Sequence, residues 1–138
     1  VLYPGAQDQF AAAEEVSLAL ERSVQGHPVV LLSALGRDGQ NLLMTRHPEL
    51  RAEIVVAGLP ARDEPLSEPL LDLVQPKLVV IADSEFPATR RATAKLRERL
   101  ARRPGMRVIY CREAGSLTLT IHGGGWEVCD AEGKPAAE

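Results

Sequence analysis

The sequence is poor in the features that announce a function. It has two cysteines, Cys111 and Cys129, too few for a disulfide scaffold and in neither a C-x-x-C nor a zinc-type spacing, so the redox compartment stays open. Its longest uninterrupted apolar run, Leu78 to Ala82, is five residues, against the roughly 20 that a membrane-crossing helix needs. The three histidines, His27, His47 and His122, stand apart and form no H-x-H or H-E-x-x-H ligand pair. Ser33-Ala34-Leu35-Gly36 has no following lysine to make it a phosphate loop, and Gly123-Gly124-Gly125 lies between two predicted strands, where it reads as a hairpin turn. The chain starts at Val1 with no initiator methionine and no signal-peptide pattern, which reads as a piece of something longer.

What is there fits one ordinary α/β core: 138 residues, 45% hydrophobic and 25% charged. Val16, Leu18, Leu20 and Val24 alternate and predict a strand over 16–24, with Gln25-Gly26 turning into a partner at Val29 to Leu32. Asp38 is placed to cap a helix running to Arg46, which Pro48 stops, and a β-branched strand follows over Glu53 to Ala57. Ser67 caps the next helix, with Leu70, Leu71 and Val74 facing the core. The continuous apolar strand Leu78 to Ala82 implies cover on both faces. Pro87 suits the first position of a helix reaching about Arg103, ended by Pro104-Gly105. A strand over Val108 to Cys111, a turn at Glu113 to Gly115, an alternating strand from Ser116 to His122 and a strand from Trp126 to Cys129 complete the order ββαβαβαβββ. Residues 1–130 read as the domain and 131–138 as a flexible tail.

Charge is unevenly distributed. The net charge is −3, yet residues 90–107 hold eight basic groups against Glu98 alone, which makes that window +7 and the remainder −10. Such a window can gather phosphates, or it can be the solvated face of a helix whose core stripe is Ala88, Ala92, Leu96 and Leu100. No aromatics interleave with the arginines, so base stacking is unsupported. Asp83 and Glu85 fall just past the C-terminal end of the most apolar strand, where α/β sheets place ligands, although acids there also complement the start of the following helix. Cys111 reads as a small packing residue with no identifiable base to activate it.

The ordered segments resemble the C-terminal half of the metallo-β-lactamase-like domain of ComEC-type competence proteins, which import DNA. The likeness covers nearly the whole chain and is carried by Val1-Leu2-Tyr3-Pro4, Glu14 to Leu20, Val29 to Ser33, Leu50 to Val56, Gln75 to Ile81, Ala92 to Leu100, Val108-Ile109-Tyr110 and Gly115 to Ile121. The resemblance implies a mixed sheet with flanking helices forming half of an αββα sandwich, in a soluble domain of a bacterial inner-membrane protein whose side of the membrane it leaves open. It departs from the family's metal-binding pattern at three places. Ala34 and Leu35 stand where the family has Thr-Gly-Asp, Leu59 and Pro60 where it has His-His-Gly, and Phe86 where it has the histidine of His-Pro. Aliphatic and aromatic side chains cannot ligate a divalent cation, so the former site is expected to be filled by packing.

The implied function is a metal-free, cofactor-free and non-catalytic scaffold or DNA-guiding module, joined to the rest of its parent membrane protein. DNA would be met through phosphates by Arg90, Arg91, Lys95, Arg97, Arg102 and Arg103. Two alternatives stand beside it. One is a metal-dependent nuclease or phosphodiesterase, completed by an N-terminal half or by unconventional ligands such as Asp63, Asp83 and Glu85. The other is an interaction module that dimerises through an uncovered apolar sheet face.

Overall fold

In the computed structural model, which describes residues 1–9 and 17–136, the chain enters its sheet through a hairpin. Strand β1 (Ala19–Val24) turns at Gln25 and Gly26, both at positive φ, into β2 (His27–Leu32). Two successive left-handed residues give the tight turn that matches the twist of the paired strands. The strand therefore starts later than the alternation suggests, and residue 16 lies outside the described residues. From β2 onward helices alternate with strands: α1 (Arg37–Arg46), β3 (Ile54–Gly58), α2 (Glu68–Val74), β4 (Leu78–Ala82), a 3-10 turn (Ala88–Arg90), α3 (Ala94–Ala101) and β5 (Arg107–Tyr110). A one-turn helix α4 (Cys111–Ala114) leads to the hairpin β6 (Thr118–His122) and β7 (Gly125–Cys129).

The main sheet runs in the order β1-β2-β3-β4-β5, with β1 antiparallel and the other four mutually parallel. Parallel neighbours in sequence order, joined by crossovers of one hand, carry their helices on one face. Leu43, Leu70, Leu71, Val74, Leu96 and Leu100 accordingly form one cluster with Val30, Val55, Ala57, Val79 and Ile81. On the other face Val29, Ile54, Leu78, Val80 and Ile109 pack with Leu119, Ile121, Trp126 and Val128 of the β6–β7 hairpin. Strand β4 is covered on both sides, as its apolar run requires: Leu78, Val79, Val80 and Ile81 are all buried. The hairpin leaves part of its face open, where Leu18 and Leu31 are 43% and 44% exposed. No helix among the described residues is long and apolar enough to cross a membrane.

Several local expectations are corrected. The basic helix is not continuous from Pro87, because the chain straightens at Arg91 and restarts at the N-cap Thr93, whose Oγ1 accepts the Leu96 N–H at 3.1 Å. Ala88 consequently leaves the apolar stripe and is exposed. Asp38 does not cap α1: the N-cap is Gly36, and the Arg37 N–H donates to Asp63 Oδ2 at 3.2 Å from the loop after β3. Cys111 opens α4 instead of ending β5, so Glu113 and Ala114 are helical rather than a turn. The expected tail folds back through Ala136, whose N–H donates to Val128 O at 2.9 Å and which is buried.

Candidate functional site

The loops after β2, β3 and β4 meet at the C-terminal rim of the parallel strands, where open α/β sheets bind ligands. Ala34, Leu35, Leu59, Pro60 and Phe86, the five positions that the resemblance sets against metal ligands, all sit there. Leu35 and Leu59 are buried core residues. Leu35 lies on the first turn of α1 so closely that a Cβ on Gly39 would be 2.4 Å from Leu35 Cδ1, which makes glycine the only residue that fits at 39 without a shift. Ala34 and Pro60 are half-buried beside them. Phe86 departs from the filled-pocket expectation: it is 79% exposed, with the Arg91 guanidinium 5.5 Å from its ring centre.

A crevice of about 390 Å³ remains between the β2 and β3 loops, with Tyr3, Leu42, Pro60, Asp8, Asp38 and Asp63 among its walls. Asp8 and Asp63 serve the fold. Asp8 receives both Arg46 terminal nitrogens, at 2.5 and 2.7 Å, and the Gly5 N–H at 2.7 Å, and the Arg46 hydrogen bonds above all hold its carboxyl at about 2. Asp63 supplies the α1 cap. Among the described residues no three histidine, cysteine, aspartate or glutamate side chains converge as a metal would require. The donor set among the described residues therefore does not fit a dinuclear metal centre.

Two buried polar side chains organise this rim: Asp83, which the sequence marks as a ligand-site or helix-start acid, and Gln40, which it does not single out. Gln40 Nε2 donates to Leu35 O at 2.9 Å and to Glu64 O at 3.1 Å, while its Oε1 accepts the Ser67 N–H at 2.7 Å. One amide thus joins the β2 loop, the β3 loop and the cap of α2. Asp83, with its side chain fully enclosed, accepts the Arg112 N–H at 2.9 Å and the Ala92 N–H at 3.4 Å, tying the start of α4 to the break before α3. Glu85 pairs with Arg91 at 2.8 Å and Arg112 at 3.1 Å. Asp83 and Glu85 are therefore both held by Arg112, whose Nε also lies 3.9 Å from Asp83 Oδ2, while Asp63 is engaged apart from them at the start of α1. Cys111 lies beside Asp83, and burial first, then the Asp83 charge, pushes its thiol up, so it is held protonated and weakly nucleophilic.

The basic window loses most of its apparent charge when the chain folds. Because α2 and α3 lie side by side, Arg103 meets Glu68 and, at 2.7 Å, Asp72, while Arg99 meets Glu68 at 3.0 Å and Glu64 at 3.3 Å. Arg97 pairs with Glu113 at 2.7 Å and lies 4.1 Å from the Tyr110 ring centre. Of the six expected DNA contacts, Arg91, Arg97 and Arg103 are thus held in close ion pairs. Lys95 and Arg102 are 84% and 81% exposed, with acids no nearer than 3.7 and 4.0 Å. Arg90 is exposed on the 3-10 turn and has no ion pair among the described residues.

No family model matches the chain, and no curated protein matches it. Its chemistry must be read from its own geometry. Asp83 is marked in the sequence by its place immediately after a buried strand, without the backbone groups that it holds, whereas no local signal marks Gln40.

At the opposite, N-terminal rim a charged cluster joins three strands and the hairpin. His27 Nδ1 lies 2.5 Å from Glu53 Oε2, Lys77 Nζ lies 3.0 Å from Glu53 Oε1, and the Trp126 indole faces the same carboxylate. The His27 hydrogen bond, followed by that of Lys77, lowers the Glu53 carboxyl to about 2.

Proposed function

We propose that this chain is the non-catalytic, metal-free half of a metallo-β-lactamase-like domain in a ComEC-like DNA-uptake protein, acting as a scaffold. The observation that carries the reading is the occupancy of the C-terminal rim. Leu35 and Leu59 stand packed where a hydrolase of this type needs ligands, and Gln40 and Asp83 spend their polar groups on backbone. The scaffold reading gives the open apolar strip around Leu18 and Leu31 a role as the seat of a second sheet. Any DNA contact falls to Arg90, Lys95 and Arg102, the window's loosely held cations, and is made to phosphates without sequence preference.

Metal analysis after dialysis against zinc or manganese, combined with an assay on a phosphodiester, tests this directly. The expected result is no stoichiometric metal and no turnover. Metal bound one to one with hydrolysis would favour the nuclease alternative. DNA affinity that falls with salt and disappears when Arg90, Lys95 and Arg102 become Glu supports guiding; absent binding at low salt leaves the scaffold role alone. A concentration-dependent dimer abolished by Leu31→Glu would favour the interaction module.

A further inference from the structure

The β6–β7 hairpin covers its face of the main sheet incompletely. Val29, Ile54 and Leu78, early in their strands, are buried beneath it, whereas further along the same face Leu31 is 44% exposed, Val56 half-buried and Ala82 exposed. The register sets Leu20 beside Leu31 and Leu31 beside Val56, and Leu18, two residues before Leu20, is 43% exposed. Together they make an apolar floor that the hairpin does not reach.

The strand that borders this floor is β6. On the outer side of β7 the Ala136 N–H donates to Val128 O, and Ala136 O accepts from Arg107 at the start of β5, the corner of the sheet diagonal to Leu18 and Leu31. β6 lies on the other side of β7 and so faces the floor. Because Val128 O points away from β6, its register partner Leu119 turns its own N–H and C=O away from β7, and Ile121, two residues on, does the same. No strand among the described residues pairs with that side. The edge Thr118-Leu119-Thr120-Ile121-His122 also lacks the proline, lysine or acid that blunts an exposed strand, whereas the β1 edge of the main sheet has the Tyr3 bridge and the charged Glu21 and Arg22.

We propose that the outer edge of β6 takes an extended segment of a partner chain, apolar at alternate positions, as the third strand of the β6–β7 sheet. The inference deepens the scaffold reading, which makes the open strip the seat of a second sheet. Main-chain pairing to Leu119 and Ile121 supplies the register. Alternate apolar side chains then point down onto Leu20, Leu31 and Val56, while the intervening ones share the wet face with Thr118 and Thr120. A second copy of this chain does not fit, since two-fold pairing of two β6 edges sets both main sheets on the same side and their floors collide. A helix would cover the floor but leave the edge groups of Leu119 and Ile121 unpaired.

The test uses the full chain and a synthetic octapeptide that alternates Val with Thr between terminal lysines, beside the same peptide N-methylated at every residue, which keeps the side chains but cannot donate to an edge. Amide hydrogen exchange reads the outcome. In the free protein the Leu119 and Ile121 amides are expected to exchange faster than those of Thr118 and Thr120, which face β7. The unmethylated peptide, at about ten times its dissociation constant, slows them about tenfold, and the methylated one leaves them unchanged. Leu31→Glu, at an exposed position on the floor, weakens binding by about tenfold or more. The proposal is overturned if these amides already exchange as slowly as those of Thr118 and Thr120, if the methylated peptide protects them equally, if Leu31→Glu binds as well, or if the peptide fails to protect them at millimolar concentration. Protection by an amphipathic helical peptide or by self-association instead would overturn it as well. Metal bound one to one with turnover would sink the scaffold reading and leave the pairing at β6 standing, so the two fail separately.

Discussion

At the C-terminal rim of the sheet the buried polar side chains, Gln40 and Asp83, face backbone, whereas at the N-terminal rim His27, Glu53 and Lys77 face one another. Both arrangements satisfy groups that burial would otherwise leave unpaired. They differ in what remains for chemistry. A neutral amide with both N–H groups and its oxygen on backbone has no donor left and does not titrate, so Gln40 fixes its part of the rim mechanically and leaves it chemically quiet. The charged rim responds to pH but lies at the end of the strands where α/β sheets seldom place a site.

The largest expected effect comes from the quiet rim. Gln40→Ala strands Leu35 O, Glu64 O and the Ser67 N–H in or near the core, and should cost about 3 kcal/mol in urea unfolding, since each buried group left unpaired costs roughly 1–3 kcal/mol with partial relief from water. Hydrogen exchange should quicken in the loops after β2 and β3 together. A loss below about 1 kcal/mol would show that the amide only decorates loops fixed by packing, and the contrast between the rims would fail.

The next effect belongs to the charged rim and has a sign that acid can read. The Glu53 carboxyl is near 2 in the folded protein against 4.5 ordinarily. A lowered folded value means stability that is fully present above about 4.5 and is lost as pH falls toward 2. Glu53→Gln should therefore cost roughly 2 kcal/mol at neutral pH, and the gap to the unchanged protein should close progressively across that acid range. Asp8 and Glu68 are also lowered by arginines, so both proteins will lose stability in acid. Only the difference between them reports Glu53. A gap that stays constant down to the lowest pH would mean that the carboxylate's charge contributes nothing.

Much of the frame was legible because it is written in short-range chemistry. Gln25-Gly26 forced the first hairpin, Ser67 capped α2 through the Leu70 N–H, and the run from Leu78 to Ala82 required cover on both faces. What escaped depends on residues distant in sequence. The break before α3 arises because Asp83, nine residues earlier, takes the Ala92 N–H, and α1 begins at Arg37, ahead of Asp38, because Asp63 takes the Arg37 N–H from another loop. The strong basic window was a property of the sequence alone: Glu64, Glu68 and Asp72, which neutralise part of it, come from the preceding crossover. The candidate site was legible in position and in the chemistry of Leu35 and Leu59. Gln40 was not, since nothing local distinguishes a glutamine that faces three backbone groups from one that faces water.

The smallest effects sharpen the same contrast within one helix. Arg99 and Arg102 are three residues apart on or beside α3, and residue type alone makes them equivalent. Arg99 is 20% exposed and sends Nη1 to Leu66 O at 2.7 Å and Nη2 to Pro65 O at 2.9 Å, so it extends the grip of Gln40 on the β3 loop. Arg102 is 81% exposed and stands 4.0 Å from Glu98. Arg99→Ala should cost roughly 1–2 kcal/mol and leave the two carbonyls to water. Arg102→Ala should fall within about 0.5 kcal/mol of no change, because an exposed pair gains little over its hydrated alternatives. Combining Arg99→Ala with Gln40→Ala should give less than the sum of the single losses, since both substitutions release one loop that can relax only once. Strict additivity in chemical unfolding would mean that the two side chains hold independent structures, and the C-terminal rim would then be a set of separate contacts rather than a single fixed unit.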